Sequence, residues 1–245
     1  MDSTDKILII GSSGYYGKHL CEHNFFEDAY KISRKSAKKN YKNYFSLDII
    51  KDDLSKLLKI KPKFVINLTT PKVEAKLEDH IKINQDGLKN IINFCNKNDS
   101  ILIHFSSVVV YDSNKTDYQT GKILSEKLIK HELQNGLILR SHLIFTPNLK
   151  YYRILKFFLF FKFLKFIIPK RFINYKLNNP IHFSDVNESL KSIILSKKID
   201  YKKVPIFDLK GPTDQTVNEI FKGEKLKRKY SKLEKLLNLE FKYIF

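Results

Sequence analysis

The chain has 245 residues, enough for one sizeable core or one large domain with a small appendage, and too few for two independent domains. With 42% hydrophobic and 13% aromatic residues it can bury a core, which excludes disorder as the default state of any long stretch. The net charge of +19 attracts anionic ligands at long range, yet it is nearly all lysine, with arginine only at Arg34, Arg140, Arg153, Arg171 and Arg228; this is the pattern of solvated lysine faces rather than of a dedicated nucleic-acid surface.

In chain order, short apolar runs at 6–10, 29–33, 44–49, 63–70, 101–107, 136–145 and 204–209 read as strands. Between them, 16–23, 52–60, 77–96 and 118–134 carry apolar residues three or four apart, the helical period. This alternation predicts an α/β fold around a doubly wound parallel sheet. The N-terminus enters the first strand without the progression of a signal peptide, so a cytoplasmic location is expected. Cys21 and Cys95 fall on helix-patterned segments with no CxxC or Cys/His spacing, and are expected to be buried thiols rather than metal ligands or a disulfide.

The rhythm changes after Thr146-Pro147. Segment 151–172 is rich in Phe and Lys, too short and too lysine-interrupted to span a bilayer comfortably. It reads as a helix packed on the sheet or on a second copy in a homodimer, with peripheral membrane contact as the alternative. The tail 223–245 reads as a Lys/Leu helix without a motif.

Directly after the first strand stands Gly11-Ser12-Ser13-Gly14-Tyr15-Tyr16-Gly17. Glycines between a strand and a helix let the chain turn tightly and let backbone amides approach a pyrophosphate. Downstream, the strand Ile103-His104-Phe105-Ser106-Ser107 is followed by Tyr118-Gln119-Thr120-Gly121-Lys122. Four-residue spacing on a helix puts the phenol and the ammonium on one face. A cation there is expected to pull the phenol pKa down from about 10, towards a value useful for proton transfer.

GxxGxxG, the serine-ended strand and YxxxK in this order resemble the short-chain dehydrogenase/reductase superfamily, especially its extended branch of NAD-dependent epimerases and dehydratases that modify sugar nucleotides. The resemblance covers residues 6 to about 209. It implies a Rossmann-type NAD(P)-binding domain over 1–150 and a small substrate-binding region over 151–245, which returns a helix and strand at about 185–209 to the core. It also implies that Gly11, Ser13, Gly14, Tyr15, Tyr16 and Gly17 form the pyrophosphate turn. Arg34, where NAD-preferring members carry an acid, would pair with a 2′-phosphate and favour NADP over NAD, or would be one more solvated cation.

The resemblance further places Asp48 and Ile49 at the adenine, with a helix cap as the other reading of Asp48. Leu68, Thr69 and Thr70 lie beneath the ribose and nicotinamide, and Asn84 either supports the active-site geometry or faces solvent. Ser141, His142 and Leu143, within a family-like 139–147 segment, would flank the nicotinamide, and 180–186 would lead into the last core helix. Ser107, Tyr118 and Lys122 are the implied catalytic residues.

Related dehydratases carry an Asp-Glu pair just after the catalytic hydroxyl residue. Here those positions are Val108 and Val109, which cannot do acid/base work, so elimination is disfavoured. What remains is an NADPH-dependent reductase of a keto-sugar nucleotide (4-keto-6-deoxy type), serving surface polysaccharide synthesis, or an NAD-dependent nucleotide-sugar 4-epimerase. A non-catalytic dinucleotide-sensing or nucleic-acid-binding relative stands outside both, and the retained YxxxK argues against it.

Overall fold

The computed structural model describes residues 5–34, 43–113, 116–145, 176–177, 179–211 and 215–216. The expected helices over 151–172 and 223–245 lie outside the described residues. The chain opens with strand β1 (Ile7–Ile10), the Gly11–Gly14 turn and helix α1 (Tyr15–Cys21), then β2 (Tyr30–Ser33) and β3 (Tyr44–Ser46). Next come a 3-10 segment (Leu54–Ile60), β4 (Phe64–Asn67), and helix α2 (Leu77–Ile81), which runs through a π-helical turn (Lys82–Gly87) into α3 (Leu88–Lys97). Strand β5 (Ile101–Ser107), helix α4 (Asp117–Glu132) and β6 (Gly136–Ser141) follow. After them lie β7 (Ile144–Phe145), β8 (Lys176–Leu177), β9 (Ile181–His182), α5 (Phe183–Leu195), β10 (Ile206–Leu209) and β11 (Gln215–Thr216).

Seven strands form one sheet in the order β10-β6-β5-β4-β1-β2-β3, each pairing within it parallel. Strand order reverses at β1, which has β2 on one side and β4 on the other, and such a switch point opens a crevice at the carboxyl ends of the strands. Period-two alternation sorts the core. Ile7 and Ile9 face a cluster with Leu20, Val186, Leu190 and Ile193 of α1 and α5. Leu8 and Ile10 face the other side, with Leu57, Leu88, Ile91 and Ile129. Both layers are buried on both faces, as parallel strands require, and each full aliphatic side chain so buried contributes about 1.5–3 kcal/mol before entropy is charged.

Three sequence expectations shift. The 77–96 segment is not one regular helix: the π-helical turn interrupts it and carries Asn84 into the interior, 1% exposed. Segment 52–60 closes as a 3-10 segment, capped by Asp53 accepting from Ser55 N (2.8 Å) and ended by left-handed Lys61. The expected 136–145 strand breaks after Ser141, because Ile144–Phe145 leaves the main sheet to pair with Ile181–His182. Cys21 and Cys95 are buried free thiols, as expected. Among the described residues, no helix is long and apolar enough to cross a membrane.

Candidate active site

The turn after β1 is held by its own backbone. Gly11 and Ser12 donate to Ile32 O at 3.0 and 3.1 Å, and Gly14 donates to Gly11 O at 2.9 Å. Gly11 takes φ +88°, a left-handed value that favours glycine, and a Cβ there would lie 3.0 Å from the Leu68 carbonyl carbon. A Cβ on Gly17 would collide with the Gly11 carbonyl oxygen. The missing side chains leave a groove of about 180 Å3 at the β1/β4 switch point, lined by Gly11, Ser13, Gly14, Arg34, Asp48, Ile49, Leu68, Thr69 and Thr70. Ser33, Leu47, Ile50 and Ile83 join them. No motif announced these four, although Ser33 is linked to the turn through Ser13 Oγ at 2.5 Å.

Other expected cofactor residues lie apart from that groove. The Tyr16 side chain turns into the core, donating to Asn187 Oδ1 at 2.8 Å, and burial raises its phenol well above the ordinary value. Tyr15 packs edge-on against His19. Ser141, the last residue of β6, donates to Ser106 O (3.3 Å); beyond it, His142 N donates to Leu209 O (2.9 Å) and Leu143 is exposed. Asp48 lines the groove, and one of its carboxylate oxygens accepts from Ile50 N (2.9 Å) within a turn; it caps no helix, since the next helical segment begins at Leu54 with Asp53 as its cap. Asn84 is buried, so its solvated reading is excluded.

Ser107 ends β5, and Tyr118 and Lys122 stand on α4 beside it. The Ser107 hydroxyl accepts from Val109 N at 3.4 Å and lies close enough to the Tyr118 phenol to favour its charged form. Lys122, 2% exposed, donates to Phe105 O at 3.0 Å and lies 5.8 Å from the Tyr118 ring centre. The three residues are brought together as the spacing implied. The expected acidification of Tyr118 is not: burial raises its pKa above 10, against the opposing pull of Ser107. The reason is desolvation, which disfavours phenolate and also pushes Lys122 down to about 8, with Glu126 partly opposing that fall. The ammonium is itself under pressure to lose its charge, and its bond is spent on a carbonyl.

The sequence profile of the NAD dependent epimerase/dehydratase family matches residues 7–132, just over half of the chain. The chain belongs to this family. It is therefore an NAD(P)-dependent enzyme of the short-chain dehydrogenase/reductase type. Three solved structures share its fold at low identity. The Bordetella bronchiseptica enzyme WbmG, in complex with NAD, superposes with a TM-score of 0.72 at 15% identity, over 89% of this chain and 76% of that one. UDP-glucuronic acid 4-epimerase from Bacillus cereus, in complex with UDP-glucuronic acid and NAD, gives 0.72 at 16%, over 98% and 95%. Helicobacter pylori ADP-L-glycero-D-manno-heptose-6-epimerase gives 0.70 at 16%, over 97% and 84%. No curated protein sequence matches the chain.

In this member of the epimerase/dehydratase family the helix that carries Tyr118 and Lys122 is braced from beneath. Glu126 accepts two bonds from Arg140 (2.9 and 2.6 Å) and one from Ser106 Oγ (2.6 Å), so a mostly buried carboxylate is fully paired, as its burial demands. Arg140 also lies 4.6 Å over the Tyr111 ring. Asn67 accepts from Thr69 N and Oγ1 (3.0 and 2.7 Å), which turns its amide nitrogen to His104 Nδ1 at 3.1 Å. His104 therefore accepts at Nδ1 and carries its proton on Nε2, and burial together with Lys122 keeps the ring neutral. Sequence reading missed Asn67, His104, Glu126 and Arg140 as a supporting layer, since their partners are distant in the chain.

Proposed function

We propose that the chain is an NADPH-dependent reductase of a keto-sugar nucleotide, of the 4-keto-6-deoxy type. One observation carries the choice: Arg34, an exposed guanidinium at the end of β2, lines the groove opposite the glycine turn, where it can pair with a 2′-phosphate. The bare turn at Gly11 and Gly14 and the ends of β2 and β4 fit a dinucleotide, with Asp48 and Ile49 at its adenine end and Leu68, Thr69 and Thr70 along its ribose. Lys122, Ser141, His142 and Leu143 lie on the side of the sheet where the nicotinamide end would extend. When bound, NADPH supplies the hydride.

The rest is done by the chain. Ser107 positions the substrate carbonyl through its hydroxyl, Tyr118 gives its phenolic proton to the developing alkoxide, and Lys122 holds the ribose and stabilises the phenolate left behind. A phenol whose pKa is raised in the unliganded site stays protonated until it is needed. Segment 151–245 is read as the substrate-binding region, with α5 and β10 returned to the core.

A second reading, the NAD-dependent 4-epimerase, is favoured by the neighbouring folds, among which are epimerases in complex with NAD. One experiment separates the two. The purified protein should emerge largely empty, oxidise NADPH stoichiometrically with a 4-keto-sugar nucleotide, and pass deuterium from labelled NADPH to the reduced carbon. Tyr118→Phe should lose about 10²–10⁴-fold in turnover while still binding the dinucleotide. Tightly bound NAD, with two sugar epimers interconverted and no net oxidation, sinks the reductase and keeps Tyr118.

A further inference from the structure

Strand β4 ends at Asn67, which pairs in register with Ile10 of β1 on one side and His104 of β5 on the other. Asn67 and His104 are each 1% exposed, in a sheet whose neighbouring positions Ile10, Ile66 and Ile103 are aliphatic and buried. Their amide and ring meet across the two strands, with Asn67 Nδ2 3.1 Å from His104 Nδ1. Leucine or valine would fill this space without desolvating two polar groups, so packing alone does not account for the pair.

The reason lies two residues past Asn67, in the groove. The chain leaves β4 with Leu68 N donating to Ile10 O at 2.9 Å. It then passes against the glycine turn, where a Cβ on Gly11 would lie 3.1 Å from Thr69 N. Asn67 Oδ1 takes both donors of Thr69, the backbone N–H at 3.0 Å and the hydroxyl at 2.7 Å. A hydroxyl whose single proton is already given away has only lone pairs left to offer. Thr69, which lines the groove, therefore meets a ligand there as an acceptor, suited to a hydroxyl and unsuited to a phosphate oxygen. That polarity depends on which way the Asn67 amide is turned. Reversed, the amide would set its own N–H groups against the Thr69 N–H, and the threonine hydroxyl would accept inward and donate outward. His104, kept neutral by burial and accepting at Nδ1, holds the amide the right way round.

We propose that Asn67 and His104 are positioning residues for the dinucleotide: His104 fixes the Asn67 amide, and Asn67 turns Thr69 into an acceptor for a ribose hydroxyl. This rests on the groove being the dinucleotide site, as in the function proposed above, and its test reads binding rather than turnover.

The test is a double-mutant cycle in the full chain, with affinity measured by fluorescence titration of both NADPH and NADH. Thr69→Val removes the hydroxyl and nearly keeps the shape, and Asn67→Leu removes the amide that orients it. Each should weaken binding about three- to ten-fold, the worth of one hydrogen bond. The double variant should bind no worse than the weaker single, because Asn67 acts through Thr69. Thr69→Ser, which keeps the hydroxyl, should bind like the wild type. Losses that multiply in the double variant overturn the proposal, since a merely structural asparagine harms the site whether or not residue 69 carries a hydroxyl. Unchanged affinity in either single variant, or a Thr69→Ser no better than Thr69→Val, overturns it as well. Should Asn67→Leu not fold, His104→Leu takes its place in the cycle, with the same expectation of a loss that vanishes in the Thr69→Val background. If the wild type prefers NADH, the reductase reading fails alone, and the cycle read with NADH still decides the role of Asn67. A wild type that binds neither dinucleotide overturns both.

Discussion

At the scale of the residue, the chemistry of this site is set by desolvation more than by neighbouring charge. Lys122 has its pKa pushed down to about 8 by burial, so the unfolded chain binds more protons than the folded one between about 8 and the ordinary value of 10.5. The stability of the unliganded protein should therefore rise with pH across that window. By the same argument, Lys122→Met should raise stability at neutral pH by on the order of 1–3 kcal/mol while abolishing turnover. Urea unfolding without dinucleotide checks this; a clear loss of stability would mean that the bond to the Phe105 carbonyl outweighs the cost of burying the ammonium. Arg34 is the opposite case, an exposed cation whose worth lies in a ligand. Arg34→Ala should weaken NADPH by about one to two decades, the range of a charge-assisted contact worth roughly 1.5–3 kcal/mol, and leave NADH nearly untouched. Titration of the two cofactors decides it, and equal weakening would remove Arg34 from the 2′-phosphate.

At the scale of the element, the junction between β1 and α1 depends on backbone contact that no side chain permits. A methyl on Gly17 would strike the Gly11 carbonyl oxygen and lie 3.0 Å from Ser12 Cα and carbonyl carbon, all of it backbone. Gly17→Ala should cost about 1–3 kcal/mol in stability, the range for overpacking a tight interior, and should weaken dinucleotide binding because the turn must open. Wild-type affinity in that variant, measured by fluorescence titration, would refute the close-approach argument. The π-helical turn works in the other direction, spending helical regularity to carry Asn84 beneath α4, where Gly121 leaves room for it. Interrupted helices of this kind recur at functional sites. Strand β6 likewise ends at Ser141, so that the following residues can pair with β9 and begin α5, whose N-cap is His182 accepting from Ser184 N.

At the scale of the whole molecule, the sheet order places the ends of β2 and β3 on one side of the glycine turn that follows β1, and the end of β4 with Ser107, Tyr118 and Lys122 on the other. Much of this was legible in the sequence, because its causes are local: an apolar strand followed by glycines forces a turn, four-residue spacing puts Tyr118 and Lys122 on one face, and two valines at 108 and 109 lack any proton to move. The same reach gave the seven main strands to within a few residues and both buried cysteines. What only the tertiary structure decided are matters of who lies next to whom. Tyr16 reads as part of the turn, yet it bonds Asn187, 171 residues away. Glu126 belongs to no motif, yet Arg140 and Ser106 claim both of its oxygens. His80 belongs to no motif, yet it is buried against the Tyr118 ring. The direction of the Tyr118 and Lys122 pKa shifts belongs here too. Spacing fixes that a phenol and an ammonium share a helix face, but the balance between their mutual attraction and the cost of burying both depends on how much water the surrounding layers exclude, and that is a property of the packed molecule.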